Sequence, residues 1–170
     1  MFARDGFDQV TMQAIAVAAG ISQRTLFREF PSKADLAWEP LREGVDAIRR
    51  RAEAVARRRA PLGEMVDEIV LGTVRDVRDP ELIAFARHHL RVLTATPALL
   101  NHPMLDDLRQ SITGAIAQSS TLGDRPPALV AEAVVAVASA AAMWWALQDG
   151  DGTLADAIEV AIGAVAEGRR

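Results

Sequence analysis

The sequence predicts an all-α protein, on three observations. Apolar residues recur at spacings of three and four along the chain, and no stretch alternates with period two for long enough to make a strand. The breaks between periodic segments are short and carry turn chemistry: Gly6, Gly20, Pro31, Pro40, Arg59-Ala60-Pro61, Asp79-Pro80, Thr96-Pro97, His102-Pro103, and the runs 123–127 and 149–152. The composition, 50% hydrophobic and 25% charged over 170 residues, is that of one soluble globular unit. Between the breaks lie roughly nine helical segments.

Composition also removes whole classes of chemistry. With no cysteine the chain has no disulfide, thiolate zinc site, iron–sulfur cluster or cysteine nucleophile. The longest apolar run, 133–147, is interrupted only by Ser139, falls short of the ~20 residues of a membrane span, and predicts a buried helix with no membrane partner. The first residues lack the pattern of a secretory signal, so a cytoplasmic location is expected. Charge is uneven: residues 1–60 hold 11 basic and 8 acidic side chains, net +3, whereas residues 61–170 are net −7. A basic first third suggests a local anion-binding surface, although solvated helical faces split in the same way.

The elements follow in order. Thr11 precedes Met12, Ile15, Ala16 and Ala19 at i, i+3, i+4, i+7 spacing, and Gly20 stops the pattern, which predicts an amphipathic helix over 12–19. Ser22 caps a second short helix that ends at Phe30, because Pro31 disfavours helical geometry in the residue before it. Ser32-Lys33-Ala34-Asp35 has the form of a capping box and opens a third. Pro40 predicts a break over 38–41 ahead of an Arg-rich helix over 41–58. Thr153 caps a last helix striped by Leu154, Ile158, Ala161, Ile162 and Val165.

Two short helices joined by Ala19-Gly20-Ile21-Ser22 have the form of a helix-turn-helix. Gly20 permits a left-handed backbone, and Ile21 is expected to plug the angle between the helices. Turning about 100° per residue, the second helix puts Leu26, Phe27 and Phe30 on one face and Arg24, Thr25 and Arg28 on the other. Arginine can bond guanine bidentately, and threonine can meet a phosphate or a thymine methyl group. A solvated helix face carries the same residues, so the face alone does not decide.

The longer pattern is more specific. Phe2-Ala3-Arg4-Asp5-Gly6-Phe7, Val10-Thr11, Ile15-Ala16, Ala19-Gly20-Ile21-Ser22, Thr25-Leu26-Phe27, Phe30 and Ser32-Lys33-Ala34-Asp35-Leu36 resemble, without gaps, the DNA-binding region of TetR-family transcriptional regulators. The resemblance spans residues 2–36. It implies a helix-turn-helix domain over 1–40 and a helical ligand-binding and dimerisation domain over 41–170. It further implies a homodimeric, ligand-responsive repressor on a palindromic double-stranded DNA operator. By that likeness Thr25 and Lys33 meet phosphates, and Gln13, Gln23, Arg24 and Arg28 reach bases or backbone. Lys33, the single lysine of the chain, stands at a helix start, where free amides also favour phosphate.

The chain departs from the family pattern in four places. Phe27 replaces a usual tyrosine at the DNA surface, Glu29 replaces a frequent histidine, and Arg24 stands where a small residue or proline is common. Of the family's apolar first helix, residues 1–5 hold the last turn alone. A competing reading is therefore an α-helical ligand-binding dimer that has lost DNA binding.

In the body, residues 128–147 and 154–166 look like the family's dimerisation helices. Ala133, Ala136 and Ala140 permit close approach of another helix, though an internal core helix of a monomer shows the same pattern. Phe85, His89, Leu93, Met104, Leu108, Met143 and Trp144 are candidates to line a cavity for a small apolar effector, with Ile112 beside them and Arg87, His88 or Arg91 as polar hooks; ordinary core filling explains each as well. His88-His89 with Asp106-Asp107 are metal-ligand types without the spacing of a metal site, since neighbours on one helix diverge. No catalytic residue, no metal and no cofactor is expected.

Overall fold

The computed structural model describes residues 1–167, with the backbone alone for Ala3 and residues 165–167. Val165, expected on the last apolar stripe, therefore lies outside the described side chains. Among the described residues the structure is helical, with no strand. Its elements are α1 (Phe2–Asp5), α2 (Met12–Ala18), α3 (Gln23–Glu29), α4 (Lys33–Trp38), a 3-10 turn (Glu39–Leu41), α5 (Arg42–Arg58), α6 (Leu62–Val66), a π segment (Asp67–Leu71), α7 (Gly72–Asp76), α8 (Pro80–Ala95), a 3-10 segment (Pro97–Asn101), α9 (Pro103–Ile116), α10 (Pro127–Leu147) and α11 (Leu154–Glu167). The Pro40 break appears as the 3-10 turn, where proline lacks the N–H that an uninterrupted α-helix needs. The α6–α7 rod holds a π turn that leaves Gly72 facing Arg51; a Cβ there would stand 2.9 Å from a guanidinium nitrogen.

Start signals act as expected. Thr11 Oγ1 accepts from the Ala14 N–H at 3.1 Å, and Ser22 Oγ from Thr25 at 3.0 Å. The capping box is complete, with Asp35 N–H donating to Ser32 Oγ at 3.1 Å and Ser32 N–H to Asp35 Oδ2 at 2.8 Å. Helix α2 ends in a Schellman turn: Gly20, at φ +68°, donates to Val17 O, and Ile21 donates to Ala16 O.

Three apolar clusters hold the chain. The largest, in the body, centres on Val55, Met65, Ile69, Ile112 and Ile116. A second joins α4 to the body, with Trp38 against Val92, Leu93 and Leu99. The third is inside the helix-turn-helix and holds three buried residues, Met12, Ala16 and Leu26, with Ile15 and Phe30 at its edge. At roughly 1.5–3 kcal/mol per large side chain, so few cannot offset the ordering entropy of some thirty residues. The head therefore depends on its seat against α8 and the segment before α9.

Two expectations need correction. Ile21 does not plug the inter-helix angle. It is 41% exposed, because the Schellman turn uses its backbone and leaves its side chain on the rim. Nor is the apolar run of residues 133–147 buried all round. It belongs to the 21-residue α10, which is long and apolar enough to cross a membrane, and whose most apolar window is only 22% buried. The inner face of α10 carries Ala131, Val135, Ala141 and Trp145, while Leu129, Trp144 and Leu147 stand exposed.

Candidate nucleic-acid interface

Leu26 anchors α3 in the head, 3% exposed, and aims the opposite side of that helix outward. Gln13 on α2 and Gln23, Arg24 and Arg28 on α3 are all exposed. Arg24 has no carboxylate partner among the described residues, whereas Arg28 pairs with Glu29 at 2.9 Å, which partly neutralises it. Thr25 is half-buried, and its Oγ1 lies 2.8 Å from Ser22 Oγ, so its hydroxyl belongs to the α3 cap. Phe27, grouped by helical angle with the core face, is 43% exposed. It stands at the margin of the apolar stripe and offers an apolar edge to the same surface as the arginines.

Lys33 is placed differently from the phosphate contact implied by resemblance. Its Nζ donates to Phe7 O at 2.7 Å and Val10 O at 3.0 Å, and stands 4.3 Å from the Phe7 ring centroid. Two of the ammonium's three donors thus tie the α1–α2 connection to the start of α4. Phe7 in turn lies 5.2 Å from the Phe2 ring, so the same clasp secures α1. Beside it, the Ser32 hydroxyl donates to Asp35 at 2.6 Å and holds that carboxyl below the usual carboxylate range; a bond from His102 acts in the same sense, against the effect of burial.

Among the described residues the expected effector residues fall in several different packing environments. Leu93 lies in the α4–α8 cluster and Leu108 in the body core, while Met104 packs on both. Phe85 is 47% exposed, and its carbonyl bonds His89 Nδ1 at 2.8 Å. Met143 is half-buried. Trp144, 59% exposed, lines a groove of about 650 Å³ between α10 and α11 with Ala140, Val160 and Ala164. Two of the expected polar hooks, Arg87 and Arg91, act elsewhere. Arg87 stacks 4.2 Å over Trp145 and donates to carbonyls of Gln148, Gly150 and Gly152, and Arg91 Nε donates to Ala146 O at 2.6 Å. Both clasp the α10–α11 loop, where cations also meet the free carbonyls of a helix end.

A solvent-facing arginine and glutamine surface on the second helix of a capped helix-turn-helix, carried by a helical body, defines a DNA-binding regulator. Similarity to known proteins makes that class specific. Residues 1–39 match the family model described as bacterial regulatory proteins, tetR family, and residues 60–170 match the model of the MftR C-terminal domain. The chain is 30% identical over 182 residues to the putative mycofactocin biosynthesis transcriptional regulator MftR of Mycobacterium tuberculosis, covering 99% of this chain and 85% of that protein. In fold it resembles the crystal structure of PfmR, a TetR family transcriptional regulator from Thermus thermophilus. The TM-score is 0.61 at 16% identity, over 99% of this chain and 94% of the other. The chain belongs to the TetR family of bacterial transcriptional regulators and is a DNA-binding helix-turn-helix protein.

Proposed function

We propose that this regulator is a cytoplasmic, non-catalytic homodimer that represses transcription from a palindromic operator and is released by a small apolar effector. The observation that carries the reading is the exposed face of α3, with Arg24 and Arg28 opposite the buried Leu26 and Gln23 exposed at the helix start. Gln13, Phe27 and these three residues form the DNA surface, and Thr25 and Lys33 hold its shape. The head, residues 1–40, is seated on a ligand-binding and dimerising body, residues 41–170.

The dimer reading rests on α10 and α11. Leu129, Trp144, Leu147 and Val160 are large, apolar and exposed, and the small side chains between them allow another helix to approach closely. A second copy covers them through 128–147 and 154–166. The effector inserts along Leu93, Met104 and Leu108, where the two larger clusters meet, with His89 and Met143 half-buried and Phe85 and Trp144 exposed. Ligand that favours one head spacing shifts the population away from the DNA-bound state. The likeness to a putative mycofactocin-biosynthesis regulator makes genes of that pathway the first candidates for control.

Fluorescence anisotropy of the purified protein on a labelled duplex from the DNA flanking its own gene, across a salt series, tests the reading. Specific binding that weakens steeply with salt supports it. Equal affinity for the flanking DNA and a random duplex refutes it.

A further inference from the structure

The head and the body meet through Ala37 and Trp38 of α4, Val92 and Leu93 of α8, and Leu99. Apolar burial holds such surfaces together without fixing their angle. Hydrogen bonds have direction, and two cross this joint. Trp38 Nε1–H donates to Leu99 O at 2.9 Å, and His102 Nε2 lies 3.1 Å from Asp35 Oδ1. Both reach the short stretch of residues 99–102 that leads into α9.

The chemistry of His102 decides which way its bond runs. Nδ1 accepts from the Met104 backbone N–H at 3.3 Å, capping α9, and an amide can only donate. Nδ1 therefore carries a lone pair, and Nε2–H donates to Asp35. The ring is 9% exposed and lies against Trp38, with centroids 5.8 Å apart and planes at 28°. Asp35 uses its other oxygen for Ser32, so one carboxylate closes the capping box of α4 and grips the body at the start of α9.

We propose that His102 and Asp35 are a positioning pair for DNA binding: their hydrogen bond sets the angle of the reading head on the body, and through it the half-site spacing that the protein accepts. The spacing consequence rests on the homodimer reading above; the angle does not. Neither residue belongs to the DNA surface proposed above. Loss of the bond leaves the apolar seat intact, so the head stays docked and samples a wider range of angles.

Because the chain has no cysteine, Ala18→Cys on α2 and Gln110→Cys on α9, both exposed, accept a pair of spin labels that reports head-to-body distance within one chain. Labelled protein is diluted with unlabelled protein of the same genotype. His102→Asn retains a cap for α9 but is too short to reach Asp35, whereas His102→Gln places an amide nitrogen near the position of Nε2. The expected result is a narrow distance distribution for the parent and the Gln variant and a broad one for the Asn variant. On a duplex selected by the parent protein from random sequence, the Asn variant's preference for the original half-site spacing over one changed by a base pair falls about tenfold. Asp35→Ser, also too short for the bond, gives the same broadening if His102→Asn melts early. A distribution that neither substitution widens overturns the proposal. A failure of the dimer reading looks different: the parent shows no spacing preference, while its head-to-body distance still widens on His102→Asn, which upholds the pair.

Discussion

Replacing Lys33 by methionine separates two roles for one ammonium. Methionine retains most of the apolar stem and removes the charge that lies 2.7 Å from Phe7 O, 3.0 Å from Val10 O and 4.3 Å from the Phe7 ring centroid. A buried hydrogen bond from a charged group nets roughly 1.5–3 kcal/mol. This site is half-buried and both carbonyls can recruit water, so about 1 kcal/mol each is the fitting scale, with about 0.5 kcal/mol for the cation–π contact. The total, about 2–3 kcal/mol, lowers the melting temperature by roughly 4–12 °C for a chain of this size. Scanning calorimetry reads that loss, and anisotropy across a salt series reads the other role. A clasp lowers DNA affinity by loosening the head and leaves the slope of log K against log salt unchanged, whereas a lost phosphate contact reduces the slope by about 0.9 per contact. An unchanged melting temperature together with a slope smaller by about one unit per chain would refute the clasp and restore Lys33 to the phosphate.

Arg24→Ala is expected to cost about 1–3 kcal/mol on specific DNA and to relax the preference at one base position, with Arg28→Ala costing less because Glu29 already shares that guanidinium; binding to a library of single-base variants checks both. Val160→Asp, at a side chain 72% exposed in the single chain, should convert the dimer to monomer in sedimentation velocity while the helical circular dichroism is kept, and an unchanged sedimentation coefficient counts against the α10–α11 interface. A carboxyl whose folded pKa is depressed, as that of Asp35 is, contributes stability above its unfolded value near 3.9 and loses it as pH falls through the folded value. The melting-temperature advantage of the parent over Asp35→Asn is therefore full at about pH 6 and shrinks below about pH 4; a gap constant across that range contradicts the assignment.

Much of the helix-turn-helix was legible in the sequence because its rules act over a few residues. Thr11, Ser22 and Ser32 each reach an amide three residues on, Gly20 adopts the left-handed turn, and Pro40 lacks a donor, so their consequences follow from neighbours alone. The stripe of α11 was legible from periodicity for the same reason, whereas α10 showed itself as an apolar run interrupted only by Ser139. Helical angle also placed Leu26 inside and Arg24 outside, but it misjudged Phe27, where a residue at the edge of a stripe turns in or out according to what packs beside it.

The sequence by itself determined the all-helical class, the helix starts and stops, and the family pattern over residues 2–36. Tertiary structure alone decided where the polar side chains spend their hydrogen bonds. Lys33 finds carbonyls 23 and 26 residues away, Arg87 and Arg91 clasp a loop more than fifty residues on, and His102, which reads locally as a helix boundary, meets Asp35 across 67 residues. The face of α10 that is left open was settled in the same way, by which neighbours cover it. Capping and periodicity are local energies that each short segment carries with it. A partner far along the chain exists only once packing has closed the loop between them, and no spacing rule encodes that closure.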